Sequence, residues 1–203
     1  MRESIDLRSL FAYNRYMENT THKKRTALFA LRITLSLACA LVLAFIFSNS
    51  LKTGNESSAQ SSVVVALVQD VAKAIAPWSG IAEATGEDYA RLHNTIRTLA
   101  HFSEFALFGA LACWCTLSYT RQKKRQLFPL LSVCLAPLID ESIQLFTAGR
   151  GAEWLDVFVD IAGGISGMGF ALACFTLGAY VYYKKKRKNN VSGPYGNRSH
   201  QIQ

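Results

Sequence analysis

Six ionisable side chains interrupt or border long apolar runs in this 203-residue chain. They are His101 and Glu104 within 99–119, Asp140 and Glu141 within 127–146, and Asp156 with Asp160 at the head of a run that ends at 183. An ionisable group at a bilayer centre costs roughly 2.5 to 3.5 kcal/mol, so keeping several calls for a compensating role. Two kinds of chemistry suit these types. His101 with Glu104 can pass a proton, while Asp140, Glu141 or Asp156 can hold a divalent cation. Arg97 and Arg150 stand close by and offer guanidinium groups to an anionic ligand. Pairing of Glu104 or Asp140 with Arg97, Arg150 or His101 would instead hold helices in register with no chemistry. Carboxylates outnumber the nearby cations, which favours a protonated carboxyl or a recruited cation over simple pairing.

Spacing says which of these groups can meet. Arg97, His101, Glu104 and Phe108 recur at four-three-four and share one helical stripe. Asp140 and Gln144 are one turn apart, with Glu141 beside them and Pro137 loosening the turn beneath. Asp156, Asp160, Gly163 and Gly167 make a third stripe, whose glycines allow close helix approach. The Gly149-Arg150-Gly151 loop lets Arg150 fold back over all three. The expected ligand-binding set is therefore Arg97, His101, Glu104, Asp140, Glu141, Gln144, Arg150, Asp156 and Asp160, an acidic cluster capped by Arg and His. His101, Glu104, Asp140 and Glu141 are the candidates for catalysis. No HExxH, nucleophile elbow or phosphatase motif is present, so the sequence assigns neither a reaction nor a cofactor, and it names no metal.

The elements that must position these residues are membrane spans. Half of the chain is hydrophobic and 18% is charged. Runs 33–51 and 161–183 contain no charged residue, and each can cross a hydrocarbon core of about 30 Å. The fold expected is an all-α integral membrane four-helix bundle, with spans at 26–48, 98–119, 127–147 and 155–183. A 1–25 tail precedes it, and a basic, disordered 184–203 tail follows. Lys plus Arg number 17 in 1–32, 120–126 and 184–203, against 5 in 49–97 and 148–154. That bias puts both termini in the cytoplasm of a multi-pass cell-membrane protein, whose partner is the lipid bilayer rather than nucleic acid. At about 1.5 Å per residue from the cytoplasmic edges, Asp140 is roughly 20 Å across, Glu104 about 22 Å and His101 about 27 Å, all in the outer third.

Loop 49–97 carries its own pattern. Val64, Val68, Val71, Ile75 and Trp78 describe an amphipathic helix on the outer interface, with Trp78 as anchor, or a lid over the bundle. Tyr89, Leu92, Ile96 and Leu99 continue as a second helix that runs into the second span, with a break at Pro77 and Gly80. A short surface helix is expected in 1–21. Lys23-Lys24-Arg25 ahead of an apolar run resembles a signal peptide, but no cleavage site follows, so an uncleaved first span is expected. The five cysteines all lie in apolar runs without metal-site spacing and read as packing residues.

Ile96 to Phe105 with Gly109, then Asp140 to Phe146, Gly149-Arg150, Asp156, Asp160, Gly163-Gly164 and Gly167, resemble the second- to fourth-span signatures of VanZ-like membrane proteins. Phe47-Ser48-Asn49-Ser50 is similar to the serine-bearing end of that family's first span. The resemblance implies a four-span protein of the bacterial cell envelope, some of whose relatives are linked to resistance against glycopeptides such as teicoplanin. It implies as partner a lipid-linked envelope precursor or an amphiphilic antibiotic, and it supplies no reaction. Asp160 stands where many relatives carry Asn, so the resemblance itself implies no role at that position that depends on a charge. An acid/base or metal-dependent enzyme acting on a lipid-linked substrate is the alternative. A permeation subunit fits less well, since Ala, Leu, Cys and Phe dominate the cytoplasmic half of the spans.

Overall fold

The computed structural model describes residues 22–120, 122–151 and 153–191; the short helix expected in 1–21 and the tail beyond 191 lie outside them. All regular structure among the described residues is helical. The order is α1 (His22–Ser50), α2 (Gly54–Ile75), α3 (Gly86–Tyr119), a 3-10 turn (Lys123–Gln126), α4 (Leu127–Leu145) and α5 (Trp154–Val191). Helices α1, α3, α4 and α5 are long and apolar enough to cross a membrane. Their outward faces present Leu37, Leu41, Phe45, Leu107, Leu135, Phe170 and Leu177, each about half exposed or more. A belt of this extent is unstable in water and suits lipid as solvent.

Helices α3 and α5 form the tightest pair, because small residues leave their backbones bare. A Cβ at Gly109, Gly163 or Gly167 would overlap the carbonyl oxygen of Gly164, Phe102 or Ala106 on the facing helix. The expected glycine stripe of α5 is thus the contact that brings Asp160 to α3. Ile46, Phe105, Phe108, Cys113, Val133, Met168 and Ala171 fill the core beneath. At the end of the bundle away from the polar cluster, Arg32 donates from Nε to the Ser118 carbonyl at 2.9 Å and stacks over Tyr119. Cys113 is buried in the core, and all five cysteines are free.

Helix α2 starts at a capping box. Thr53 Oγ1 accepts from the Glu56 backbone N–H at 3.3 Å, and the Glu56 carboxylate accepts from the Thr53 N–H at 2.9 Å. Those Thr53 bonds hold the exposed Glu56 carboxyl below its ordinary pKa. The helix stops at Ala76, where the following Pro77 disfavours helical backbone. Ser58 meets His93, and Gln69 reaches the Ala84 carbonyl at 3.0 Å, so α2 runs antiparallel to the first turns of α3. Helix α3 is continuous, as the 89–99 pattern implies. Val64, Val71, Ile75 and Trp78 face outward, Trp78 at 84% exposure, while Val65 is buried against the protein. The apolar stripe of α2 therefore does not seal the bundle; only its first turns reach over the site.

Candidate functional site

Four helices deliver polar side chains to one end of the bundle. Asp140, Gln144 and Asp160 are all 1% exposed or less, and Glu141 is 7% exposed. At the centre, His101 of α3, Asp140 of α4 and Asp160 of α5 converge, each with a ligating atom within 4.8 Å of the others. His101 Nδ1 lies 3.7 Å from Asp160 Oδ2. Asp140 is held from two sides: Ser50 Oγ donates to Oδ1, and Gln144 Nε2 donates to Oδ2 at 2.9 Å. The one-turn spacing of Asp140 and Gln144 thus becomes a hydrogen bond along α4.

The other expected residues surround this centre without joining it. Glu104 accepts a bond from Asn49 Nδ2 at 3.1 Å rather than pairing with His101. Glu141 turns to the loop, where its carboxylate accepts the Glu153 backbone N–H. Asp156 is half-buried one turn before Asp160. Arg150 does fold back, but not onto carboxylates. It donates to the Asn49 carbonyl at 3.3 Å and to Ser57 Oγ at 3.1 Å. Burial, then the neighbouring Arg97 guanidinium, push Arg150 below the ordinary arginine pKa, with Asp140, Glu141 and Asp156 opposing them. Arg97 makes no hydrogen bond or ion pair among the described residues. The expected arginine cap over the acids is therefore replaced by another arrangement. The end of α1 and the start of α2 lie between, and their backbone and hydroxyl oxygens take up the Arg150 donors.

Asn49 and Ser50 bond the carboxylates of the cluster, and spacing arguments left both out of the site. The signal was available, since one amide and two hydroxyls, Ser48-Asn49-Ser50, close an otherwise apolar span. The loop that carries Arg150 is tied to the same corner. Thr147 Oγ1 donates to the Ser50 carbonyl at 3.0 Å, and Gly54 N–H donates to the Ala148 carbonyl at 3.0 Å. A Cβ at Gly54 would overlap the Gly149 carbonyl, and Gly149 itself has φ 74°, which favours glycine.

Beside the cluster is a partly open cavity of about 390 Å³. Arg97, Arg150, His101 and Glu104 line it together with Asn49, Ser57, Gln60 and Ser61, and Val64, Ile96 and Leu99 give it an apolar side. His101 belongs to both the cavity wall and the buried triad. Such a site can hold an amphiphile with a charged head, or place a proton-transfer group against it.

Fold and site together define a helical membrane protein with four long apolar helices and a buried histidine–carboxylate cluster at one end. A model of the VanZ/LLP1 family matches residues 35–183, which take in the whole cluster, and the chain belongs to that family. No curated protein and no solved structure matches the chain.

Proposed function

We propose that this protein is a cell-envelope membrane protein that holds the anionic head of an envelope lipid or lipid-linked precursor in the cavity beside His101, and thereby modulates susceptibility to glycopeptides such as teicoplanin. In this reading both termini are cytoplasmic and the cavity opens on the outer side, as the 17 to 5 split of basic residues favours. One observation carries the reading: two guanidinium groups face the cavity with donors to spare. Arg97 has no partner among the described residues, and Arg150 Nε is buried without one. The buried unpaired Arg150 Nε is costly to leave unmet, and a phosphate or carboxylate head could meet it while accepting from the half-buried Arg97. The apolar wall of Val64, Ile96 and Leu99 suits the adjoining acyl or prenyl chain.

The test uses the full chain in nanodiscs and measures retention of lipids with phosphate or pyrophosphate heads by native mass spectrometry. Arg97→Gln and Arg150→Gln should each weaken retention by about 10- to 100-fold, the range for a lost charge-assisted hydrogen bond. Arg150→Ala should also abolish a glycopeptide or envelope phenotype while expression persists. Glu141→Ala should do the same by freeing the loop that its carboxylate pins at Glu153. Equal lipid retention in wild type and both arginine variants would sink the proposal.

A second reading, acid/base chemistry on the bound head, is favoured by His101. This imidazole stands in the cavity wall with the Asp160 carboxylate 3.7 Å from its Nδ1, close enough for its charge to favour an imidazolium after proton uptake. Turnover of a lipid-linked substrate that disappears in His101→Phe would favour it.

A further inference from the structure

His101, Asp140 and Asp160 come from three different helices, yet their ligating atoms lie within 4.8 Å of one another. We propose that these three side chains form a binding site for a divalent first-row transition-metal ion, of the class of zinc or manganese.

Distance is the first reason. His101 Nδ1 and Asp160 Oδ2 are 3.7 Å apart, too far for an N–H···O bond of about 2.7 to 3.2 Å. Two donors on one tetrahedral metal, each about 2.1 Å from it, are about 3.4 Å apart. The separation seen is closer to an edge of a coordination sphere than to a hydrogen bond. The widest gap allowed by 4.8 Å closes with a movement of about 1.4 Å on the same geometry.

Unmet polar atoms are the second. Asp160 is 1% exposed, and its Oδ1 has no hydrogen-bond partner; His101 Nδ1 and Gln144 Oε1 are likewise buried without one. Native interiors rarely leave such atoms unsatisfied in one place. Charge is the third. Asp140 and Asp160 are both fully buried, and no Lys or Arg pairs with either among the described residues. A dication balances two buried carboxylates, which a single imidazolium cannot do.

The surroundings also match what metal ligands need. Ser50 and Gln144 fix the two oxygens of Asp140, as hydrogen-bonded outer partners orient a ligating carboxylate. One imidazole nitrogen with carboxylate oxygens suits zinc, manganese or iron, whereas magnesium and calcium prefer oxygen alone. Three protein ligands leave a coordination position for water or an oxygen of whatever enters the cavity at His101.

The experiment titrates purified, tag-free full-length protein in detergent, stripped by chelator, with Zn²⁺, Mn²⁺, Co²⁺ and Mg²⁺ and with no lipid added. It is therefore independent of lipid binding, and either proposal can fail alone. One equivalent of Zn²⁺ or Mn²⁺ per chain is expected to survive desalting. Co²⁺ should give visible d–d bands that Zn²⁺ displaces, and Mg²⁺ should not compete. His101→Phe and Asp160→Ala should lose the stoichiometric metal. Ser50→Ala should weaken binding by about 10- to 100-fold, the usual cost of an outer-shell loss. Asp70→Asn, on an exposed surface, should bind as wild type does. Absence of Co²⁺ bands in the wild-type protein, or metal retained in both His101→Phe and Asp160→Ala, overturns the proposal. The wild-type spectrum decides the matter even if a variant fails to fold.

Discussion

Ser50 shows how much one side chain can be asked to do. It is 1% exposed, and its hydroxyl donates to Asp140 while its backbone carbonyl accepts from Thr147. One residue therefore ties the end of α1 both to the buried carboxylate and to the loop that carries Arg150. Ser50→Ala should lower stability by about 1 to 3 kcal/mol, the cost of leaving a buried acceptor short of a donor. The check is the thermal midpoint in nanodiscs, with Ser48→Ala as control, because Ser48 bonds only its own helix at the Phe45 carbonyl. Equal midpoints for the two variants would remove Ser50 from this role. Of the five carboxylates that spacing grouped, only Asp140 and Asp160 converge with His101, while Glu104 and Glu141 bond elsewhere. Helical periodicity reports which residues share a face and says nothing of which atoms a neighbouring helix brings opposite them. Arg150 is the clearest instance. A long, flexible guanidinium near five carboxylates suggests ion pairs, yet its two terminal nitrogens donate to the Asn49 carbonyl and the Ser57 hydroxyl, and Nε is left unpaired.

Among the elements, the α3–α5 contact decides whether the cluster exists. Asp160 reaches His101 only because Gly163 and Gly167 let α5 lie against the Phe102 and Ala106 carbonyls. Gly167→Leu should force the two helices apart, with a cost of about 1 to 3 kcal/mol or more for overpacking. Gly169, two residues on and facing open space, should accept Leu with little change. Reactivity of the buried Cys113 thiol on heating reads the difference, in a background where the other four cysteines are replaced by Ala. Indistinguishable labelling curves for the two variants would contradict close α3–α5 packing as the organising contact. Helix α2 illustrates a different limit. Its 3.6-residue pattern was legible from Val64 to Trp78, but the side chains that pattern groups mostly face outward, and Val65, outside the stripe, is the one buried against the protein. An apolar stripe marks a face that avoids water; it does not distinguish a protein neighbour from lipid.

For the molecule as a whole, the proposed orientation has a direct consequence. With all native cysteines replaced, a thiol introduced by Ser58→Cys at the exposed start of α2 should react with a membrane-impermeant maleimide on intact cells. One introduced by Gln122→Cys, in the exposed connection between α3 and α4, should react only after permeabilisation. The reverse pattern would invert the topology and place the cavity on the cytoplasmic side. The sequence by itself determined the number and approximate limits of the long apolar helices, the continuity of α3 from its amphipathic start into its span, and the family, because hydrophobic length and local motifs are properties of neighbours along the chain. It also singled out His101, Asp140 and Asp160, since ionisable residues in apolar runs stand out without any structure. Only the tertiary structure decided that these three meet, that Ser50 supports Asp140 while Asn49 bonds Glu104, and that the arginines line a cavity rather than pair with the acids. Those outcomes depend on the approach and rotation of whole helices, set by glycine contacts between residues as far apart in the chain as Gly109 and Gly164, which no local spacing encodes.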